Sequence, residues 1–199
     1  MDVLKQRQAR AEFLFRKADH FELTLCQSLN RMGHMRAIRL FFKSVSRLGD
    51  GIFWYSLALA LPLLKALESP EKLVGLFDLA HITVTGLVCL LIYSQLKNRL
   101  VRQRPFISFP DIHAHTAPLD KYSFPSGHTM NAVNFAVLFS WAYPPLMYVV
   151  VPFAILVALS RVVLGMHYPT DVIVGAVLGV AISWGSILLF PAGMFAAFI

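Results

Sequence analysis

An all-α membrane protein, a polytopic bundle of about five transmembrane helices behind amphipathic interfacial helices, is the fold class that the sequence predicts. Three observations carry it. The 199 residues are 57% hydrophobic with a mean hydropathy of +0.61, too apolar for a soluble domain of this length. The apolar residues gather in five runs, 51–67, 73–96, 129–144, 146–159 and 172–190, each near the roughly 20 residues a bilayer crossing needs. Finally, ten of the eighteen Lys and Arg precede the first run. A net charge of +7 placed there points to phospholipid as the partner and away from nucleic acid.

The elements follow in chain order. Residues 3–47 set Phe13, Phe21, Leu25, Leu29 and Met32 against Arg16, Lys17, Arg31, Arg36 and Arg39 at helical spacing, which predicts interfacial helices. The charges at Arg31, Arg36, Arg39 and Lys43 argue against a further crossing. Residues 1–48 therefore read as a basic anchoring arm and 49–199 as one membrane-embedded domain, with Gly49-Asp50-Gly51 breaking the pattern between them. No secretory signal is expected ahead of the first run, whose helix would itself direct insertion. That run ends near Lys65, and Glu68-Ser69-Pro70-Glu71 makes a turn. The second run contains Asp78 and His81 on one helical face, read as an internal pair or a membrane-edge carboxylate outside the site. Residues 97–125 are a long polar interruption in which Pro105, Pro110, Pro118 and Pro125 prevent one continuous helix, and loops of this length often carry function. His113 and His115 lie in it without an acidic or Cys partner at ligand spacing, so a solvated loop is the simpler reading. Cys26 and Cys89 offer neither a disulfide framework nor a zinc site. No metal and no cofactor are expected.

Three stretches put polar groups where apolar helices begin or end. In the first, Lys97 and Arg104 are seven residues apart, about two helical turns, and would share a face able to hold a phosphate. In the second, Phe124-Pro125-Ser126-Gly127-His128-Thr129 precedes an apolar helix. Ser126 suits its cap, Gly127 admits a ligand close to the backbone, and the helix N-terminus favours an anion beside His128. In the third, Ser160 to Asp171, ionisable groups sit at the edge of a hydrocarbon layer, where their default reading is a functional site. Asp171 is four residues past His167, with Pro169 suited to a first helical turn, so the carboxylate could fix the imidazole tautomer. The other ring nitrogen would then attack an electrophile or bind a metal, and attack is the sharper reading. Together the stretches supply cations, two histidines and a carboxylate, a phosphoryl-transfer set that needs no metal.

These stretches resemble the signature of the type 2 phosphatidic acid phosphatases, shared with the vanadium haloperoxidases. The pattern K-x6-RP, PSGH and SR-x5-H-x3-D reads here as Lys97 to Pro105, Pro125 to His128 and Ser160 to Asp171, without departure. The resemblance implies that His167 attacks phosphorus to form a phosphohistidine, that Asp171 orients it and that His128 protonates the leaving oxygen. It also implies that Lys97, Arg104, Arg161, Ser126 and Gly127 hold the phosphate. The expected function is a metal-independent phosphatase acting on a phosphomonoester or pyrophosphate of a membrane lipid. A lipid phosphotransferase using the same histidine and a non-catalytic lipid-binding protein are the alternatives. A haloperoxidase is disfavoured, because that related group is soluble.

With five spans, all three stretches and the N-terminus fall on one side of the membrane. That side carries thirteen Lys and Arg besides the three assigned to phosphate, against Lys65 and Lys72 on the other. The positive-inside tendency places the site at the cytoplasmic face, although the resemblance pulls towards the outer face, where many bacterial relatives work. A bacterial inner membrane is the expected location, with a lipid phosphate and the bilayer as partners. Oligomeric state has no readable code.

Overall fold

The computed structural model of the protein describes residues 19–68, 72–118 and 120–191. The first helix, α1, is described over residues 19–32. It is followed by α2 (Arg36–Gly49), α3 (Ile52–Glu68), α4 (Lys72–Arg99), the single turn α5 (Pro105–Ser108), α6 (Gly127–Ala142), α7 (Met147–Val163) and α8 (Pro169–Leu189). A 3-10 turn, Pro144–Leu146, joins α6 to α7. Proline opens α5 and α8, where its fixed φ and missing N–H carry no cost.

Helices α3, α4, α6, α7 and α8 occupy the five apolar runs. Val74–Arg99, Pro144–Val163 and Pro169–Leu189 are long and apolar enough to cross a membrane, and α2 with α3, bent by 46°, meets the same test when taken together. At 17 and 16 residues, α3 and α6 are shorter than a full crossing of roughly 20. Helix α6 is the hub of the bundle, packed against α4, α7 and α8, so its surroundings are largely protein. The outer surface is apolar: Leu63, Leu87, Leu91, Ile155, Val177 and Leu188 all point outwards. So extended an apolar exterior suits lipid, not water. The chain is thus a polytopic membrane helical bundle.

Packing fixes where the helix ends meet. A Cβ on Gly175 would lie 2.6 Å from the Ser126 carbonyl, and one on Gly179 would lie 2.5 Å from that of Met130. These two glycines, one turn apart on α8, let its backbone touch that of α6, as small residues do in membrane helix pairs. The start of α6 is thereby pressed against the start of α8. Below that junction the core is aromatic, with Trp54 of α3 between Phe135 of α6 and Phe153 of α7.

The N-terminal arm does more than the anchoring expected of it; Phe13, Arg16, Lys17 and the turn residues Ser69, Pro70 and Glu71 lie outside the described residues. Phe21 and Leu25 of α1 are exposed, as on an interfacial helix. The opposite face is docked. Buried Asn30 donates to the carbonyls of His113 (3.0 Å) and Val163 (3.1 Å) and accepts from the His113 N–H (2.9 Å), tying α1 to the polar loop and the end of α7. Asp78 and His81 take separate partners instead of each other. Asp78 accepts from Lys65 (2.6 Å) and Tyr143 (3.3 Å), whereas His81 meets Ser186 (3.1 Å).

Candidate active site

The stretch after α7 makes a hook. Gly165 adopts φ +76°, a turn conformation open mainly to glycine, and the N–H groups of Met166 and His167 both return to the Arg161 carbonyl, at 2.9 and 3.1 Å. His167 is thus fixed just before Pro169 opens α8. Asp171 closes the capping box of that helix, its Oδ2 accepting from the Tyr168 N–H at 2.9 Å. The same oxygen lies 3.6 Å from His167 Nδ1, on the side of the ring the spacing predicted but beyond hydrogen-bond length. Both side chains are essentially inaccessible, at 2% and 0%. Burial, together with the Arg161, Arg104 and Lys97 charges, pushes the His167 imidazole well below its ordinary pKa and keeps it neutral.

A second cation holds that carboxylate. Arg102, 1% exposed, donates to Asp171 Oδ1 at 2.5 Å, to Thr170 at 2.7 Å, to Asp19 at 2.6 and 2.9 Å, and to Glu22 at 2.9 Å, with its plane over the Tyr168 ring. Burial opposes its charge, but Asp171 and Asp19 outweigh burial and raise its pKa further. Glu22 also accepts from the Thr170 N–H and hydroxyl, both at 2.6 Å. Through these bonds α1 clasps the first turn of α8. The sequence reading had counted Arg102 only among the topological cations.

Lys97 and Arg104 do converge, but not on one helix face as the seven-residue spacing implied. Helix α4 ends at Arg99, and Arg104 is extended (φ −76°, ψ 152°) as the cap of α5. They meet on Asp120: its Oδ1 lies 2.9 Å from Lys97 Nζ and 2.7 Å from Arg104, and its Oδ2 accepts from Tyr93 at 2.5 Å. Arg104 also donates to the Met166 carbonyl at 2.8 Å, beside the hook. Burial would raise the Asp120 pKa, but hydrogen bonds from Tyr93 and Lys97 and the Lys97 and Arg104 charges win and hold it at about 2.

The second stretch abuts the third. The Ser126 N–H donates to the Asp171 carbonyl at 3.0 Å, and Ser126 Oγ caps α6 while bonding Thr129 Oγ1 at 2.9 Å. Gly127 begins α6 beneath the Tyr93 ring. His128 Nε2 pairs with Asp50, which caps the end of α2. Arg161 donates to Ser46 of α2 at 2.5 Å, yet its buried Nε has no partner. Two cavities meet at the His128–Asp50 pair. One, of about 410 Å³, is lined by Lys43, Ser46, Arg47 and Arg161; the other, of about 360 Å³, by Tyr55, Cys89, Leu90, Tyr93 and Asp120.

All eight sequence-predicted residues, His167, His128, Asp171, Lys97, Arg104, Ser126, Gly127 and Arg161, therefore gather at the ends of α4, α6, α7 and α8. Those the sequence reading missed are Arg102, Asp50, Asp120, Tyr93, Ser46, Asp19 and Glu22. Asp50 alone carried a usable signal, an ionisable residue between two glycines at the edge of an apolar run. His113 and His115 lie with His34 in a cluster of rings, at 5.1, 5.6 and 6.4 Å between centroids. Among the described residues no three His, Cys, Asp or Glu side chains are placed to hold a metal ion.

The chain is similar to several known proteins. The chain is 40% identical over 88 residues to the decaprenylphosphoryl-5-phosphoribose phosphatase of Mycobacterium tuberculosis, covering 44% of this chain and 47% of that protein. It is 32% identical over 116 residues to the lipid A 1-phosphatase of Rhizobium johnstonii, covering 55% and 45%. With the undecaprenyl-diphosphatase of Sulfolobus acidocaldarius it shares 36% identity over 96 residues, 47% and 46% of the two chains. The chain spans about half the length of the curated relatives it matches. Among solved structures, the LpxE protein of Aquifex aeolicus superposes with a TM-score of 0.69 at 24% identity, over 84% of this chain and 95% of that one. The PAP2-type phosphatidylglycerolphosphate phosphatase of Bacillus subtilis superposes with a TM-score of 0.61 at 21% identity, over 95% and 96%. These two likenesses establish a shared fold. The sequence model of the PAP2 superfamily matches residues 78–194, more than half of the chain and the whole of all three polar stretches, and the chain belongs to that superfamily.

Proposed function

We propose that the protein is a metal-independent lipid phosphate phosphatase that works through a phosphohistidine on His167. One observation carries the reading: a buried, neutral imidazole turns Nδ1 towards a fixed carboxylate, while Lys97, Arg104 and Arg161 surround it with positive charge. A neutral imidazole has the lone pair that attack needs. The three cations, with the Ser126–Gly127 start of α6, supply the charge that a trigonal-bipyramidal phosphoryl group develops.

The steps balance. A bond forms from His167 Nε2 to phosphorus as the bond to the lipid oxygen breaks, and His128 gives that oxygen its proton. Water then attacks the phosphohistidine, passing its proton to His128, and inorganic phosphate departs from a regenerated neutral His167. Asp171 steadies the ring while it carries the phosphoryl group, and Arg102 steadies Asp171. An incoming phosphate must displace the Asp120 carboxylate from Lys97 and Arg104, so Asp120 acts as a competing internal anion. Its low pKa keeps it ionised, and competing, throughout the working pH range.

The relatives' names all describe phosphates borne by large lipids, and the site lies at the end of a bundle whose exterior is apolar. Both favour a substrate with its phosphate at headgroup level and its tail in the bilayer. The cation balance supports the cytoplasmic face of a bacterial inner membrane: with Arg102 sequestered in its ion pairs, twelve Lys and Arg on the site's side still oppose Lys65 and Lys72. The test is phosphate release by the purified protein in detergent, in the presence of a chelator, from lipid monophosphates and diphosphates. Release that survives chelation and disappears in His167→Ala is expected. Release that needs a divalent ion would overturn the metal-free reading, and transfer to an added alcohol without free phosphate would mark a phosphotransferase.

A further inference from the structure

We propose that the polar cavity beneath α2 is a subsite for a second phosphoryl anion, carried by the leaving group. This rests on the phosphatase reading and narrows its substrate class to lipids in which the scissile phosphate departs from a partner that is itself phosphorylated.

The lining of the cavity motivates the assignment. Lys43 and Arg47 stand four residues apart on α2, hence on one face, and both line the cavity with Arg161, Ser46, Asp50 and His128. Among the described residues, neither the Lys43 nor the Arg47 side chain has a hydrogen-bond or ion-pair partner. Arg161, 3% exposed, forms the inner wall with an unpartnered Nε. The carboxylate in the lining, Asp50, is engaged by His128. Lys43 and Arg47, beside the Arg161 that also serves the scissile phosphate, thus face one committed anion inside a concavity of about 410 Å³, ample for a small polar group. Lys43 and Arg47 are exposed, as snorkelling cations are, but both reach a pocket whose inner wall is a buried arginine. Fixed positive charge in a cleft concentrates anions, and phosphoryl oxygens take charge-assisted hydrogen bonds from Lys and Arg.

Position ties the subsite to the leaving group. His128 lies in the wall of both cavities and is the donor to the departing oxygen, so the leaving group must occupy one or both of them. The other cavity reaches Asp120, Tyr93 and Asn131 on the side of the scissile phosphate and offers hydrocarbon an apolar wall at Tyr55, Cys89 and Leu90. The polar part of the leaving group then falls against Lys43 and Arg47. Two chemistries place an anion there. In a lipid diphosphate the leaving group is the lipid monophosphate; in a headgroup phosphomonoester it is an alcohol that already carries a phosphodiester. Phosphatidate would put a neutral alcohol in the same place.

Two measurements on the full-length protein in detergent test the subsite, one of them independent of turnover. Calorimetric titration should show inorganic pyrophosphate binding at least roughly tenfold more tightly than inorganic phosphate, with the ratio falling to within about threefold in Lys43→Gln/Arg47→Gln and recovering in Lys43→Arg/Arg47→Lys. Equal binding of the two anions by the wild type, or a ratio indifferent to the Gln pair, would overturn the subsite. In turnover, kcat/KM for a prenyl diphosphate or for phosphatidylglycerol phosphate should exceed that for phosphatidate by about tenfold or more, and the Gln pair should shrink that ratio. The faster of the first two identifies the source of the second anion, and a preference for phosphatidate would overturn the proposal. Absence of phosphate release from every lipid would refute the phosphatase reading, while the pyrophosphate titration would still decide the subsite.

Discussion

The site holds two histidine–aspartate pairs, and they are built differently. His167 and Asp171 are inaccessible, and Asp171 is held by Arg102, by the Tyr168 N–H and by the first turn of α8. The His128 side chain is 13% exposed and that of Asp50 is 36% exposed, where α2 bends into α3 between two cavities. The difference matches the work proposed for each. A nucleophile that takes a covalent group gains from a fixed ring and a dry, neutral setting. An acid that protonates a leaving group and then deprotonates water must meet both, and so stands at the opening.

Substitutions should break the two pairs unequally. His167→Ala is expected to remove turnover by roughly 10⁴-fold or more, with the melting temperature little changed, because the proposed nucleophile is gone; phosphate-release kinetics beside a thermal melt would check it. Arg102→Ala should come next and act on stability too. It strands Asp19, Glu22 and Asp171 without their shared cation, and stranding buried carboxylates costs on the order of 3–5 kcal/mol, read as a lowered melting temperature. Asp50→Asn should reduce kcat by a smaller factor, roughly 10- to 100-fold, and leave the melt nearly unaltered, since its side chain is 36% exposed to solvent. If Asp50→Asn destabilised the fold as much as Arg102→Ala, the contrast between a fixed pair and an accessible one would be lost.

The smallest effect is a pH slope. His167 is held below its ordinary pKa by burial and by the Arg161, Arg104 and Lys97 charges, whereas the unfolded chain binds its proton near about 6.5. Below that pH the unfolded state takes up a proton that the folded state refuses, so stability is full above about 6.5 and falls with further acidification. Asp120, at about 2 when folded and about 3.9 when unfolded, adds a separate loss confined to the interval between those values. Thermal melts between pH 7 and 4.5 should therefore show a decline that His167→Asn flattens; an identical decline in the variant would contradict a buried neutral imidazole.

Much of this was legible in the sequence, for identifiable reasons. Apolar runs record a bilayer solvent directly, so all five helices appear where composition put them. The spacing of His167, Pro169 and Asp171 is local geometry within one helix start, and Ser126 is a cap read from its own neighbourhood. Arg102 and Asp120 could not be found that way, and the local signal at Asp50 did not name its partner. Arg102 meets Asp19 and Glu22 across some eighty positions and Asp171 across sixty-nine, and His128 meets Asp50 across seventy-eight. No periodicity encodes such pairs. Lys97 and Arg104 show the converse, a convergence rightly expected but reached by a chain that leaves the helix and turns, not by helical repeat.

The central claim is a phosphoryl group carried on the imidazole of His167. Rapid quenching of turnover into alkali, where phosphohistidine survives, followed by peptide mass spectrometry, tests it most directly. The account predicts a phosphoryl adduct on His167, more abundant in His128→Ala, where its hydrolysis is slowed, and absent in His167→Ala. Steady turnover with no adduct on His167, or an adduct on another side chain, would contradict it.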